Sequence, residues 1–280
     1  RFDGRVAVVT GAGRGLGKVW AQALARRGAR VIAVGRGAGV AELAASLCAQ
    51  GLHAEAEHAD VTDPQAVAAL ASRVLERHGR VDVLVNNAGM VRDRSFAKAD
   101  LADFRAVIDT NLMGAVHATA AFWPGMLAQS YGRVIFLTSS AGLAGNFGQT
   151  AYGAAKMALV GLMQTLGIEG ARKGVRVNCF APIGATEMNA DVLPPAMLAR
   201  FDPELLVPGL VFLASDAAPN RAILMGGAGS FELAHVTFTR GRRIESAEEL
   251  AARFAEIGAR ADAVLPESAM AQATGELANT

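Results

Sequence analysis

Short runs rich in apolar and β-branched residues alternate along the chain with longer segments whose apolar residues recur at helical spacing. The runs are RVAVVT, RVIAV, HAEAEHAD, VDVLVNN, RVIFLTS, VRVNCFA and AILMG; the helical patterns between them cover residues 15–27, 39–50, 64–78, 101–129, 152–172 and 204–214. A period near 3.6 predicts a helix, and a short unbroken apolar run predicts a strand buried on both faces. Such strands, joined by helical crossovers, form a parallel sheet covered on both sides. The pattern therefore predicts a doubly wound α/β fold with a seven-stranded parallel sheet and helices on both faces, in one domain spanning residues 1–245. Beyond it, SAEELAARFAEIGARADAV opens with a capping box at Ser246 and Glu249 and sets Leu250, Phe254 and Ile257 along one face. Residues 246–280 are thus expected to form a helical extension that docks through this face, with the polar remainder to Thr280 frayed or acting as a linker. No internal repeat is visible.

Composition narrows the function classes. The 280 residues are 52% hydrophobic and 19% charged, so the chain can bury a substantial core. Lys and Arg number 27 against 26 Asp and Glu, for a net charge of +1. That balance offers no basic field for nucleic acid or an anionic membrane, and neither is expected as a partner. Cys48 and Cys179 lie far apart, with no Cys-x-x-Cys and no histidine at ligand spacing, so two reduced thiols are expected rather than a disulfide or a metal site. No apolar stretch reaches the ~18 residues of a membrane span. The start, RFDGR, lacks the order of a signal peptide, and the final LANT is not a peroxisomal address. A cytoplasmic location is the expectation. Because the numbering opens on Arg1, further residues upstream are expected.

After the first predicted strand comes TGAGRGLG, with Gly11, Gly13, Gly15 and Gly17 opening a helix. There the backbone can approach a pyrophosphate and offer it helix N-terminal N–H groups. The spacing is not G-x-G-x-x-G, because its sixth position is Leu16. An acid that holds the ribose 2′-hydroxyl of NAD is usual at the end of the second strand. This chain reads VGRG there, with Gly35 in the acid's place and Arg36 after it, and Arg14 lies within the glycine turn. Two guanidinium forks could converge on a 2′-phosphate, which favours NADP(H) over NAD(H). Asp60, in HAD, is placed either to accept from an adenine amino group or to make a local turn.

The segment TSSAGLAGNFGQTAYGAAK, residues 138–156, carries Ser139 at a strand end and Tyr152 and Lys156 four apart on a helix. Residues so spaced share a helix face, and an ammonium beside a phenol favours phenolate. Lowering a tyrosine by about three pH units takes about 4 kcal/mol, roughly the interaction of unit charges 4 Å apart at an effective dielectric near 20. Lys156, helped by a cationic nicotinamide, is expected to depress Tyr152 by this route.

These motifs, with NNAG at Asn86–Gly89, Asn111 in TNLMG, and YGAAK, closely resemble the short-chain dehydrogenase/reductase family over about residues 3–240. The resemblance implies a Rossmann-type fold. It also implies Tyr152 as general acid/base, Lys156 lowering its pKa and holding ribose hydroxyls, Ser139 bonding the substrate oxygen, and Asn111 holding a relay water. Gly11, Arg14, Gly15, Leu16, Gly17, Arg36, Asp60, Val61, Asn87, Ala88, Gly89, Tyr152, Lys156, Pro182 and Thr186 are the implied cofactor residues, with no metal. Ser140 is one residue short of the family spacing.

RFDGRVAVVTGAGRGLG, NNAGMVRDRSFA and GAGSF further resemble the (3R)-hydroxyacyl-CoA dehydrogenase domains of peroxisomal multifunctional type 2 enzymes and their bacterial relatives. So does APIGATEM, where Ile183 replaces the usual glycine and Thr186 stands four residues after Pro182. Those relatives typically carry an acid after strand two, which VGRG lacks. The implied function is interconversion of 3-oxo and 3-hydroxy groups on an acyl thioester, in lipid metabolism. Residues 187–204 would serve as a mobile substrate lid, and a homodimer or homotetramer would pair through the helices at 101–129 and 152–172. Rivals are the same chemistry on a steroid or other secondary alcohol or ketone, and a cofactor-binding protein without catalysis.

Overall fold

The computed structural model describes residues 1–186 and 194–279, so most of the expected lid, 187–193, lies outside the described residues. The chain divides into two compact units, Arg1–Leu233 and Ala234–Thr280. The larger unit carries β1 (Val6–Thr10), α1 (Gly15–Ala25), β2 (Arg30–Gly35), α2 (Gly39–Ala49), β3 (Ala54–His58), α3 (Pro64–His78) and β4 (Val83–Asn86). There follow α4 (Leu101–Ile108), α5 (Gly114–Ala128), β5 (Gly132–Leu137), α6 (Ser140–Ala144), α7 (Thr150–Gly170) and β6 (Val175–Ile183). The unit closes with α8 (Pro195–Leu198), α9 (Val207–Ala214), β7 (Ile223–Gly227) and β8 (Ser230–Ala234).

The sheet order is β3-β2-β1-β4-β5-β6-β7-β8, and the strands from β3 through β7 pair in parallel. β1, β4 and β5 are buried along their whole length, as their β-branched runs require. β3 is an edge strand and is correspondingly polar: Glu57 is bound by Arg73 at 2.8 Å, and Glu55 by Arg30 and His78. The strand order reverses between β1 and β4, and such switch points open a crevice at the C-terminal ends of the strands. Gly11 follows β1 and Asn87 follows β4, so the two motifs flank that crevice. Trp20 on α1 and Phe122 on α5 are fully buried, as are Phe136 and Phe180 in the sheet.

Three features depart from the expected elements. Among the described residues the sheet has eight strands, not seven, because Ala228 and Gly229 make a two-residue turn with φ of 50° and 78°. Two successive positive φ values form the hairpin turn that matches strand twist, and so short a connection can join only antiparallel strands. An alanine at the first position disguised that signal in the sequence. The helix expected over 101–129 is broken by a π-helical turn, Asp109–Met113, between α4 and α5. Third, the part of the expected irregular lid that is described contains α8 and a 3₁₀ turn at Pro203–Leu206, whose first N–H groups are met by Asp202.

The smaller unit holds α10 (Ala247–Ile257) and α11 (Met270–Leu277), the latter where fraying was expected. Ser246 accepts from the Glu249 N–H at 3.0 Å, but Glu249 returns its bond to the N–H of Glu245 rather than to that of Ser246. Leu250 and Phe254 on α10 are exposed. Among the described residues, no helix is long and apolar enough to cross a membrane.

Candidate functional site

The glycine turn is built by close backbone approach. Gly11 and Gly15 have φ of 65° and 52°, a region that favours glycine. A Cβ on Gly11 would lie 2.9 Å from Ala88 Cα, and one on Gly17 would run into Gly11 O and come within 2.6 Å of Asn87 Nδ2. These two glycines pack the turn against the segment after β4. Gly15 differs, because the nearest atom to its Cβ position is Thr186 Cγ2 at 3.8 Å. Gly13 and Gly35 both abut Val40, which explains the absence of a side chain at the end of β2.

Asn87 locks the arrangement. Its Nδ2 donates to Thr10 O at 3.0 Å and Gly11 O at 3.3 Å, and its Oδ1 accepts from the Trp20 indole at 3.2 Å. Thr10 Oγ1 accepts from the N–H groups of Asn87 and Ala88. Nothing local in the sequence marks Trp20 for this role, because its partner Asn87 stands 67 residues away.

The N-terminus of α1 fits an anion: its N-cap, Arg14, makes no side-chain cap, and its first turn carries no acid. With Gly15 met by Thr186 only at van der Waals distance, the turn fits a dinucleotide's pyrophosphate. Arg36 Nη1 donates to Asp60 Oδ2 at 3.2 Å, and Asp60 Oδ1 accepts from Thr62 N and Thr62 Oγ1. Asp60 thus makes the local turn, and these bonds hold its carboxyl below the ordinary value despite the opposing effect of burial. Val61 O accepts from His117 Nδ1 at 2.9 Å, and Gly114 gives Val61 its room.

Across the crevice, Ser139 N-caps α6, its Oγ accepting from Ala141 N at 3.2 Å, which leaves its O–H to donate. Ser139 stands close enough to Tyr152 for its hydroxyl to act on the phenol, in the direction that favours phenolate. Lys156 Nζ lies 5.4 Å from the Tyr152 ring centroid and donates to Leu137 O at 2.7 Å. Asn111 sits in the π turn, its Nδ2 donating to Met90 O at 2.8 Å and to Val107 O at 2.9 Å. Its Oδ1 is buried without a protein partner. A Cβ on Gly89 would stand 2.6 Å from that oxygen and 3.6 Å from Lys156 Nζ, so glycine is required there and the two side chains share one wall. The structure therefore gathers Ser139, Tyr152, Lys156 and Asn111 from three separate segments. Pro182 and Ile183 end β6, and Thr186 approaches Gly15.

The electrostatics correct one expectation. Burial pushes the Tyr152 phenol up, the nearby Ser139 hydroxyl works against this, and the charge of Asp93 adds to it. Lys156 does not offset the burial, because its ammonium is turned to Leu137 O and is itself fully desolvated, which lowers it to about 8. Cys179 nearby is likewise pushed up by burial. Among the described residues no cluster of His, Cys, Asp and Glu could hold a metal ion.

The shift of Lys156 predicts a pH effect on stability. Its folded value, about 8, lies below the roughly 10.4 of a free ammonium, so between them the unfolded chain binds more protons and stability rises with pH. The rise in wild type relative to Lys156→Met should reach about 3 kcal/mol from pH 7 to above pH 10. Denaturant titrations of both proteins across that range would show it, and parallel curves would remove the buried ammonium.

The short chain dehydrogenase family profile matches residues 5–195. A Mycobacterium tuberculosis protein named as a short-chain type dehydrogenase/reductase is 40% identical over 267 residues, covering 90% of this chain and 93% of its own. A 3-oxoacyl-[acyl-carrier-protein] reductase of Synechocystis is 42% identical over 223 residues, covering 76% of this chain and 90% of the relative. The solved full-length peroxisomal multifunctional enzyme type 2 of Drosophila melanogaster superposes with a TM-score of 0.84 at 33% identity, over 99% of this chain and 49% of that one. The chain spans only 24% to 54% of the curated peroxisomal multifunctional enzymes it matches.

Proposed function

The chain belongs to the short-chain dehydrogenase/reductase family of oxidoreductases, and from that premise we propose that it interconverts 3-oxo and 3-hydroxy groups of acyl thioesters, preferring NADP(H). The observation that carries the reading is the gathering of Ser139, Tyr152 and buried Lys156 at the ligand edge of the sheet, with Lys156 Nζ 5.4 Å from the Tyr152 ring. A bound nicotinamide dinucleotide supplies or accepts the hydride. The N-terminus of α1 and Gly15 would hold its pyrophosphate, and Arg14 and Arg36 a 2′-phosphate. Asp60 and Val61 would meet the adenine, Lys156 and Tyr152 the ribose, and Ala88, Gly89, Pro182 and Thr186 the remainder.

In reduction, Ser139 donates its O–H to the carbonyl oxygen while Tyr152 gives that oxygen its proton; in oxidation the phenolate takes the proton back. Burial keeps the phenol in the protonated form that reduction needs. Asn111 Oδ1, a buried acceptor, suits a water that returns the proton to solvent. The acyl-thioester reading is supported by the Synechocystis reductase and by the multifunctional enzymes among the relatives. A second copy packing on α4, α5 and α7 would cover Leu101, Met157 and Ile168, which are exposed in the single chain.

Purified protein with acetoacetyl-CoA, or a longer 3-oxoacyl-CoA, should consume NADPH faster than NADH. Arg36→Ala should lower that preference about tenfold, the size of one charge-assisted hydrogen bond. Consumption with steroids or other ketones and none with thioesters would transfer the chemistry to those substrates. Equal rates with both nucleotides would leave Arg36 as Asp60's partner alone.

A further inference from the structure

The end of β2 lacks a side chain for a reason of packing, not of backbone. Gly35 is an ordinary strand residue paired with His58 of β3, and its φ is not left-handed. What it lacks is room: a Cβ there would lie 2.9 Å from Val40 Cγ1. The strand end is pinned, because Val34 O accepts from Ala12 N at 3.1 Å and Gly35 O from Ala59 N at 3.2 Å. Val40 cannot swing aside. It stands in the first turn of α2 with 1% of its surface exposed, and a valine in a helix has one strongly preferred χ1 rotamer. Nor can α2 slide across the glycine turn, since a Cβ on Gly39 would stand 2.6 Å from Gly13 O. Lifting α2 off the sheet would uncover Leu43 and Leu47, which are buried.

We propose that Val40 is a specificity-determining residue for the nucleotide: by packing against Gly35 it bars a side chain from the end of β2, excludes the carboxylate that would bond a ribose 2′-hydroxyl, and leaves that position to Arg36. The inference rests on the reading that a nicotinamide dinucleotide lies on the glycine turn. A carboxylate at the end of β2 serves NAD(H) by accepting from the 2′-hydroxyl, and it repels a 2′-phosphate. In this chain the next side chain is that of Arg36, which is 76% exposed and donates to Asp60 Oδ2 at 3.2 Å. Gly37 beyond it has nothing within 4 Å of its Cβ position, so the crowding at the strand end is confined to Gly35. An acid in place of Gly35 is therefore not enough to recruit NAD(H). The apolar residue five positions on has to shrink with it.

A stability cycle and a binding cycle on the full chain test this. Alanine normally stabilises a strand position held by glycine. Gly35→Ala should nonetheless lower the denaturant midpoint of the nucleotide-free protein, whereas the same change in a Val40→Ala background should leave the midpoint unchanged or raise it. Calorimetry with NAD⁺ and with NADP⁺ then reads the specificity. Gly35→Asp alone should weaken NADP⁺ binding about tenfold or more without a gain for NAD⁺. Gly35→Asp combined with Val40→Ala should bind NAD⁺ about tenfold more tightly than wild type, the size of one charge-assisted hydrogen bond. Val40→Ala alone should keep the wild-type ratio of the two affinities. Equal midpoint losses from Gly35→Ala in both backgrounds would overturn the proposal, as would NAD⁺ binding by Gly35→Asp alone that matched the double variant. A wild-type preference for NAD⁺ would sink the NADP(H) reading itself, and the midpoints, which are read without nucleotide, tell that failure from a failure of the Val40 contact.

Discussion

Tyr152→Phe is expected to lower turnover in both directions by about 10²–10⁴-fold, the range contributed by one positioned acid–base group, while weakening nucleotide binding by no more than one ribose hydrogen bond, about 1 kcal/mol. The phenyl ring keeps its place beside Lys156, and only the hydroxyl near Ser139 is lost. Stability should change by no more than about 1 kcal/mol, because both hydroxyls of that pair stand at the ligand edge. Turnover measured with saturating nucleotide, alongside a thermal melt, checks this. Near wild-type turnover in a folded, nucleotide-binding variant would remove the phenol from the chemistry.

Gly17→Ala is expected to be the most damaging single substitution in the nucleotide cradle. Gly17 is buried inside α1, where alanine's helix propensity alone would stabilise by about 1 kcal/mol. Sterics reverse the sign. The added carbon would overlap Gly11 O and stand 2.6 Å from Asn87 Nδ2, and neither can retreat, because Asn87 is held by Thr10 O and Trp20. Overpacking of this kind costs about 1–3 kcal/mol, and here it also tilts the helix N-terminus that would face the pyrophosphate. Loss of nucleotide binding by calorimetry together with a lower denaturation midpoint is the expected result. Gly37→Ala is the control, since nothing lies within 4 Å of its Cβ position. If Gly17→Ala matched it, the close approach of α1 to the turn would not hold the cradle.

The local parts of this protein were legible because each is set by neighbours in the chain. Apolar runs such as VAVVT and GRVIFL can be hidden only in the middle of a covered sheet, and both strands are buried throughout. The start and stop of α3 follow the same logic, with Asp63 capping, Pro64 in the first turn and Gly79 left-handed at the end. The serine, tyrosine and lysine could be named from their spacing once the glycine turn set the context, and the structure brings them together. The hairpin to β8 escaped because Ala228 stands where a left-handed turn usually shows glycine or asparagine. The π turn escaped because helical periodicity does not register one inserted residue, although that turn is what aims Asn111 at Gly89.

Sequence by itself determined the order of strands and helices, the family and the candidate chemistry, since burial period, caps and motif spacing are short-range properties. Tertiary structure alone decided the charge states and the partners. Whether Lys156 depresses Tyr152 depends on how much water each loses and where the ammonium points, and here burial outweighs the pairing. Arg36 pairs with Asp60 across 24 residues of sequence and Asp93 with Gln149 across 56. No local pattern carries such pairs, because a hydrogen bond is chosen by which surfaces the completed sheet and its helices press together.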